Sequence, residues 1–84
     1  MSETAKVLVV DDEESGRFVK VQTLRRAGYH VMEASTGTDA LALAASEGID
    51  LIVLDVNLPD ISGLEVSRRL RAQNPALPGI QILQ

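Results

Sequence analysis

The chain has 84 residues and a formal charge of −4, so it forms at most one small domain of marginal stability. The acidic balance argues weakly against nucleic acid as a partner, and the absence of cysteine excludes disulfide bonds and thiolate metal sites. The polar start of the chain is unlike a signal peptide, and no apolar run approaches the roughly 20 residues that cross a bilayer. We therefore expect a cytoplasmic protein with no nucleic-acid partner and no membrane partner.

Apolar runs and helical patterns alternate along the chain. Four short apolar runs predict buried strands, over residues 6–10, 29–34, 49–54 and 80–84. The segments between them predict helices, over residues 15–27, over residues 39–46, and between Gly63 and Asn74. The second run is more polar than the others, which favours the edge of a sheet. The order βαβαβαβ predicts an α/β fold with a parallel sheet.

Each predicted helix has apolar residues that can pack on the sheet. In the first helix, Phe18, Val21 and Leu24 recur at three-residue spacing and are predicted to share the buried face. The second helix is rich in Ala and Leu, and its small side chains allow close packing. In the third helix, Leu64 and Leu70 are predicted to share a face from which Val66 is displaced.

Acidic residues follow two of the predicted strands. Asp11 and Asp12 come directly after the first strand, and Asp55 comes directly after the third. We interpret Asp60 as a turn residue. Taken singly, Asp11 and Asp12 could be only an acidic helix start, and Asp55 could be only a turn residue. Together, however, they converge at the carboxyl edge of a parallel sheet, and Mg²⁺ is the ion that relieves repulsion among such carboxylates. The backbone carbonyl of Asn57 could add another oxygen ligand.

The spacing of these residues resembles the receiver domain of two-component response regulators. The residues that carry the resemblance are Asp11, Asp12, Asp55, Asn57, Pro59 and Gly63. The resemblance implies a flavodoxin-like, doubly wound sheet with strand order 2-1-3-4-5. It also implies that Asp55 accepts a phosphoryl group from a histidine kinase or a phosphotransfer protein. By the same resemblance, Asp12 binds Mg²⁺ directly, Asp11 binds it through water, Asn57 binds it by its carbonyl, and the Pro and Gly shape the loop.

The family pattern extends beyond what this sequence holds. In that family a Ser or Thr follows the fourth strand and a Lys follows the fifth, whereas this sequence ends at Gln84, and neither Lys6 nor Lys20 can substitute by chain position. We therefore expect residues 1–84 to be the N-terminal part of a receiver domain, with an incomplete sheet. Two hypotheses follow: a non-enzymatic phosphoacceptor of a phosphorelay, or a switch-deficient module for interaction or assembly. The uncovered fourth strand predicts self-association through its edge.

Overall fold

The computed structural model describes residues 5–73 and 75, together with the backbone of residues 79–83. Strands and helices alternate along the described chain. The elements are β1 (Lys6–Val10), α1 (Glu14–Arg26), β2 (His30–Ala34), α2 (Gly37–Ser46), β3 (Leu51–Asp55), α3 (Gly63–Gln73) and β4 (Gly79–Leu83). This order confirms the predicted α/β fold.

The four strands form one parallel sheet in the order β2-β1-β3-β4. The polar strand β2 lies at an edge, as its sequence predicts, and β1 lies inside the sheet between β2 and β3. The pairing of β1 with β3 runs from Val7 opposite Leu51 to Val10 opposite Leu54. The side chains of the predicted strand at 80–84 lie outside the described residues.

The sheet separates two apolar layers because successive side chains of a strand point to opposite faces. One layer lies under α2 and α3 and includes Leu8, Val10, Ala40, Ala44, Ile52, Leu54, Val66 and Leu70. The other lies under α1 and includes Val7, Val9, Val21 and Val31. The small alanines of α2 are buried on the sheet, as predicted from their size.

Helix α1 buries a different face from the one predicted. Phe18 is 62% exposed, whereas Val21 is buried and Leu24 packs beside it. A three-residue spacing drifts around a helix, so Phe18 and Leu24 lie about 120° apart and cannot share one contact face. The inner face instead carries Arg17, Lys20, Val21 and Leu24, which are partly or fully buried.

Helix α3 also differs from the prediction. Val66 and Leu70 are fully buried, while Leu64 is 60% exposed. Residues four apart lie nearly in line on a helix, whereas Leu64 and Leu70 are about 120° apart. Val66 therefore belongs to the buried face and Leu64 does not.

The first two helices begin one or two residues earlier than predicted because residues before them supply the caps. The Glu13 carboxylate accepts a 2.9 Å hydrogen bond from the backbone N–H of Gly16, so α1 begins at Glu14. The Thr36 hydroxyl accepts a 3.1 Å hydrogen bond from the N–H of Asp39, so α2 begins at Gly37. None of the helices in the described part of the chain is long and apolar enough to cross a membrane.

The two leucines of α3 provide a matched test of this packing. We expect Leu70→Ala to lower the free energy of unfolding by about 2–5 kcal/mol, because it leaves a cavity in the core. Leu64→Ala should change it by no more than about 0.5 kcal/mol, because the side chain lies at the surface. Urea unfolding followed by far-UV circular dichroism measures both, and equal losses would contradict the assigned face.

Candidate functional site

The pairing of β1 with β3 brings the predicted acidic residues together. Val10 lies opposite Leu54, so the next residues along the two strands, Asp11 and Asp55, lie side by side. One carboxylate oxygen from each of Asp11, Asp12 and Asp55 lies within 4.8 Å of the others. The convergence predicted from the sequence is therefore present at the carboxyl edge of the sheet.

The alternation of side-chain direction along each strand determines which helix covers this cluster. Val7 and Val9 face α1, so Asp11, two residues further along, continues on the same side. Val53 also packs on the α1 side, and Asp55 follows it at the same two-residue interval. Both carboxylates are therefore carried on the face of the sheet that α1 covers.

Asp11 is the most enclosed member of the cluster, at 4% exposure. Its Oδ2 accepts a 2.7 Å hydrogen bond from Lys20 Nζ, and its Oδ1 accepts a 3.0 Å bond from the backbone N–H of Glu13. Burial raises the pKa of the Asp11 carboxyl, but these two hydrogen bonds and the charge of Lys20 outweigh it, so the pKa lies below the ordinary value of 3.8. Asp11 is held as an anion.

Two cations of α1 that sequence reasoning missed lie at the site. The sequence predicted only that Lys20 cannot replace the lysine that follows the fifth strand in the family, and it did not indicate that the Lys20 ammonium contacts Asp11. Arg17 donates a 2.9 Å hydrogen bond to the Asp11 carbonyl and a 3.0 Å bond to the Glu33 carboxylate. The signal that could have found them is their position on the helix, because Arg17 and Lys20 share the inner face with Val21.

The other predicted site residues are more open. Asp12 is exposed and Asp55 is half-buried. Asp55 Oδ1 accepts a 3.0 Å hydrogen bond from the backbone N–H of Asn57, which fixes the turn that follows the strand. The donors assembled here are hard carboxylate oxygens, the kind that Mg²⁺ prefers, and thus the residues fit that ion.

Gly63 keeps the loop after β3 close to the site. Its N–H donates a 2.9 Å hydrogen bond to the carbonyl of Val56. A Cβ at this position would lie 2.5 Å from the Asp55 carbonyl oxygen and 2.6 Å from Val56 Cα. Only glycine allows the start of α3 to approach the backbone of the site so closely.

Asp60 joins the same loop to α2. Its carboxylate accepts hydrogen bonds from the N–H of Gly37 at 2.8 Å and from the N–H and hydroxyl of Thr38 at 2.9 and 2.6 Å. The Thr38 hydroxyl, followed by the two backbone N–H groups, holds the pKa of Asp60 far below its ordinary value. Asp60 is therefore more than the turn residue predicted. It accepts hydrogen bonds from N–H groups at the start of α2 that have no partner within the helix, although Thr38 is 22 residues away in the sequence.

The family of the chain follows from this arrangement and from a direct match. The family model for the response regulator receiver domain matches residues 7–83. The chain belongs to this family. It is thus a receiver domain of two-component signalling, a kind of domain that accepts a phosphoryl group. A role in assembly alone, the alternative raised by the sequence, is not favoured.

Named relatives and solved structures agree with this assignment. The alkaline phosphatase synthesis transcriptional regulatory protein PhoP of Bacillus subtilis is 51% identical over 73 residues, which are 87% of this chain but 30% of PhoP. Chemotaxis protein CheY4 of Vibrio cholerae superposes with a TM-score of 0.87 at 40% identity, covering 95% of this chain and 68% of that one. Response regulator TrrA of Thermotoga maritima, in complex with Mg²⁺ and BeF, gives a TM-score of 0.82 at 28% identity, covering 96% and 88%. The chain thus spans less than a third of PhoP.

Gly63→Ala tests how closely the loop approaches the site. The added Cβ would meet backbone atoms of Asp55 and Val56, so we expect a loss of about 1–3 kcal/mol in the free energy of unfolding. Gly48→Ala is the matched control, because a Cβ there meets nothing within 4 Å. Thermal unfolding of both variants provides the comparison, and a Gly63 variant as stable as the Gly48 variant would contradict the approach.

Proposed function

We propose that Asp55 is the phosphoacceptor of this receiver domain and that residues 1–84 contribute the N-terminal part of the domain. The observation that carries the proposal is the convergence of Asp11, Asp12 and Asp55 where β1 and β3 end. Asp55 is half-buried at this edge, and the Asn57 N–H orients its carboxylate. The chain acts stoichiometrically rather than as an enzyme, because the group that receives the phosphoryl is one of its own side chains.

The proposed reaction is a transfer from a phosphohistidine. A carboxylate oxygen of Asp55 attacks the phosphorus, an O–P bond forms as the N–P bond breaks, and the imidazole leaves as a neutral base whose other nitrogen keeps its proton. The protein contributes in-line positioning and stabilisation of charge rather than covalent chemistry of its own. Backbone N–H groups of the turn that directly follows Asp55 could donate hydrogen bonds to the phosphoryl oxygens.

Mg²⁺ is the proposed cofactor. Asp12 and Asp55 would hold it directly, Asp11 through water, and Asn57 by its backbone carbonyl. When bound, the ion neutralises negative charge on the carboxylates and on the incoming phosphoryl group. The oxygen donor set of this cluster supports the choice, as does the complex of the similar regulator TrrA with Mg²⁺ and BeF.

The proposed donor is a histidine kinase or a phosphotransfer protein, as the family assignment supports. The described β4 is the outer strand of the sheet, so self-association through its edge stays a prediction that light scattering can test. We also infer that the segment acts away from nucleic acid and membranes, since its formal charge is −4.

Incubation with Mg²⁺ and acetyl phosphate, followed by intact-mass spectrometry, tests the acceptor. We expect one phosphoryl group to be added, and we expect hydroxylamine to remove it, because an aspartyl phosphate is an acyl phosphate. Asp55→Asn should abolish the addition. Asp39→Asn should leave it unchanged, since Asp39 is an exposed aspartate on α2 outside the cluster.

The same experiment tests whether phosphorylation requires Mg²⁺. Chelation of Mg²⁺ should suppress the addition in the unmodified chain. A phosphoryl group that persists in Asp55→Asn, or that resists hydroxylamine, would exclude Asp55 as the acceptor.

A further inference from the structure

We propose that Lys20 is a built-in counter-ion of the acidic site and that it lowers the affinity of the site for Mg²⁺. The inference rests on the proposed function, in which the cluster binds that ion. The contact that carries it is the 2.7 Å hydrogen bond from Lys20 Nζ to Asp11 Oδ2. Lys20 reaches the cluster from α1, and its position on the buried face of that helix makes the contact possible.

The ammonium occupies a specific place in the cluster. Asp11 Oδ2 is bonded to Lys20, and Asp11 Oδ1 is bonded to the N–H of Glu13, so both oxygens have partners before any metal arrives. A dication, or a water bound to it, would use a carboxylate whose negative charge the Lys20 ammonium already offsets. The ammonium and the metal therefore compete for the same carboxylate.

Burial makes the pair a defined feature of the site rather than a surface ion pair. The Asp11 side chain is 5% exposed and the Lys20 side chain 31% exposed. Lys20 also borders an apolar groove with Leu24 and Val53, while its charged end reaches the acid. The hydrogen bond to the enclosed Asp11 carboxylate defines where the ammonium lies.

Without metal, the three carboxylates repel one another, and Lys20 offsets part of that repulsion. With metal, the same positive charge opposes binding. A unit charge about 6 Å from a dication weakens binding about tenfold even with the full screening of bulk water. Lys20 thus acts as a positioning residue that stabilises the metal-free site and raises the Mg²⁺ concentration needed to fill it.

Lys20→Met tests this role, because methionine keeps an unbranched stem in the groove but removes the charge. We expect the Kd for Mg²⁺, measured by isothermal titration calorimetry, to fall about tenfold. Lys6→Met is the matched control. It removes the same charge from the opposite end of β1, about 16 Å away along the strand, and should leave the Kd unchanged.

A second measurement uses the unmodified chain and does not depend on how the variant folds. The sequence holds two lysines, so labelling with ¹³Cε-lysine gives one signal for Lys6 and one for Lys20. We expect Mg²⁺ to move the Lys20 signal along the binding curve and to leave the Lys6 signal in place.

The outcomes separate this inference from the proposed function. If the unmodified chain binds no Mg²⁺, both are wrong. If it binds Mg²⁺ while the Lys20 signal stays fixed, or if Lys20→Met binds no more tightly than Lys6→Met, only the role of Lys20 is wrong. A Lys20 side chain that merely docks α1 would alter the unfolding temperature and leave the Mg²⁺ affinity unchanged.

Discussion

The site depends on the parallel pairing of β1 with β3, in which Val10 lies opposite Leu54. This register places Asp11 beside Asp55, and the two-residue period turns both carboxylates toward α1. A shift of one residue would move one of them to the other face of the sheet and separate the pair. The apolar side chains that fix the register, such as Leu8 and Ile52, therefore also determine the chemistry of the strand ends.

The consequence of this pairing is electrostatic. Carboxylates held so close repel one another, and the chain counters the repulsion from several directions. Lys20 neutralises Asp11, Arg17 binds its carbonyl, and the Glu13 N–H satisfies its other oxygen. The site keeps Asp12 exposed and Asp55 half-buried, which leaves room for an ion and a phosphoryl donor to approach. The contacts that offset the repulsion therefore lie directly beside the carboxylates that stay accessible.

Much of this could be predicted because the relevant signals are local in the sequence. Apolar runs and the turn residues between them predicted the alternation of strands and helices. Aspartates directly after two parallel strands predicted the cluster. The buried faces were harder: three-residue spacing at Phe18 was mistaken for a helical face. The roles of Lys20 and Asp60 depend on contacts between distant segments, since Asp60 bonds to Thr38 across the fold. The position of Lys20 beside Val21 on α1 could indicate that it lies on the inner face, but no pattern within one segment identifies the distant partner of such a contact.

The measurement that bears most directly on the site is a Mg²⁺ titration of the ¹⁵N-labelled chain followed by amide NMR. If the strand ends form one ion site, the signals of residues 11–13 and 55–58 shift together and fit a single dissociation constant. Asp12→Asn should raise that dissociation constant, because a neutral amide is a poorer ligand for a hard cation. The same residues should still show the shifts. Shifts confined to other regions, or separate constants for the two segments, would contradict a shared site.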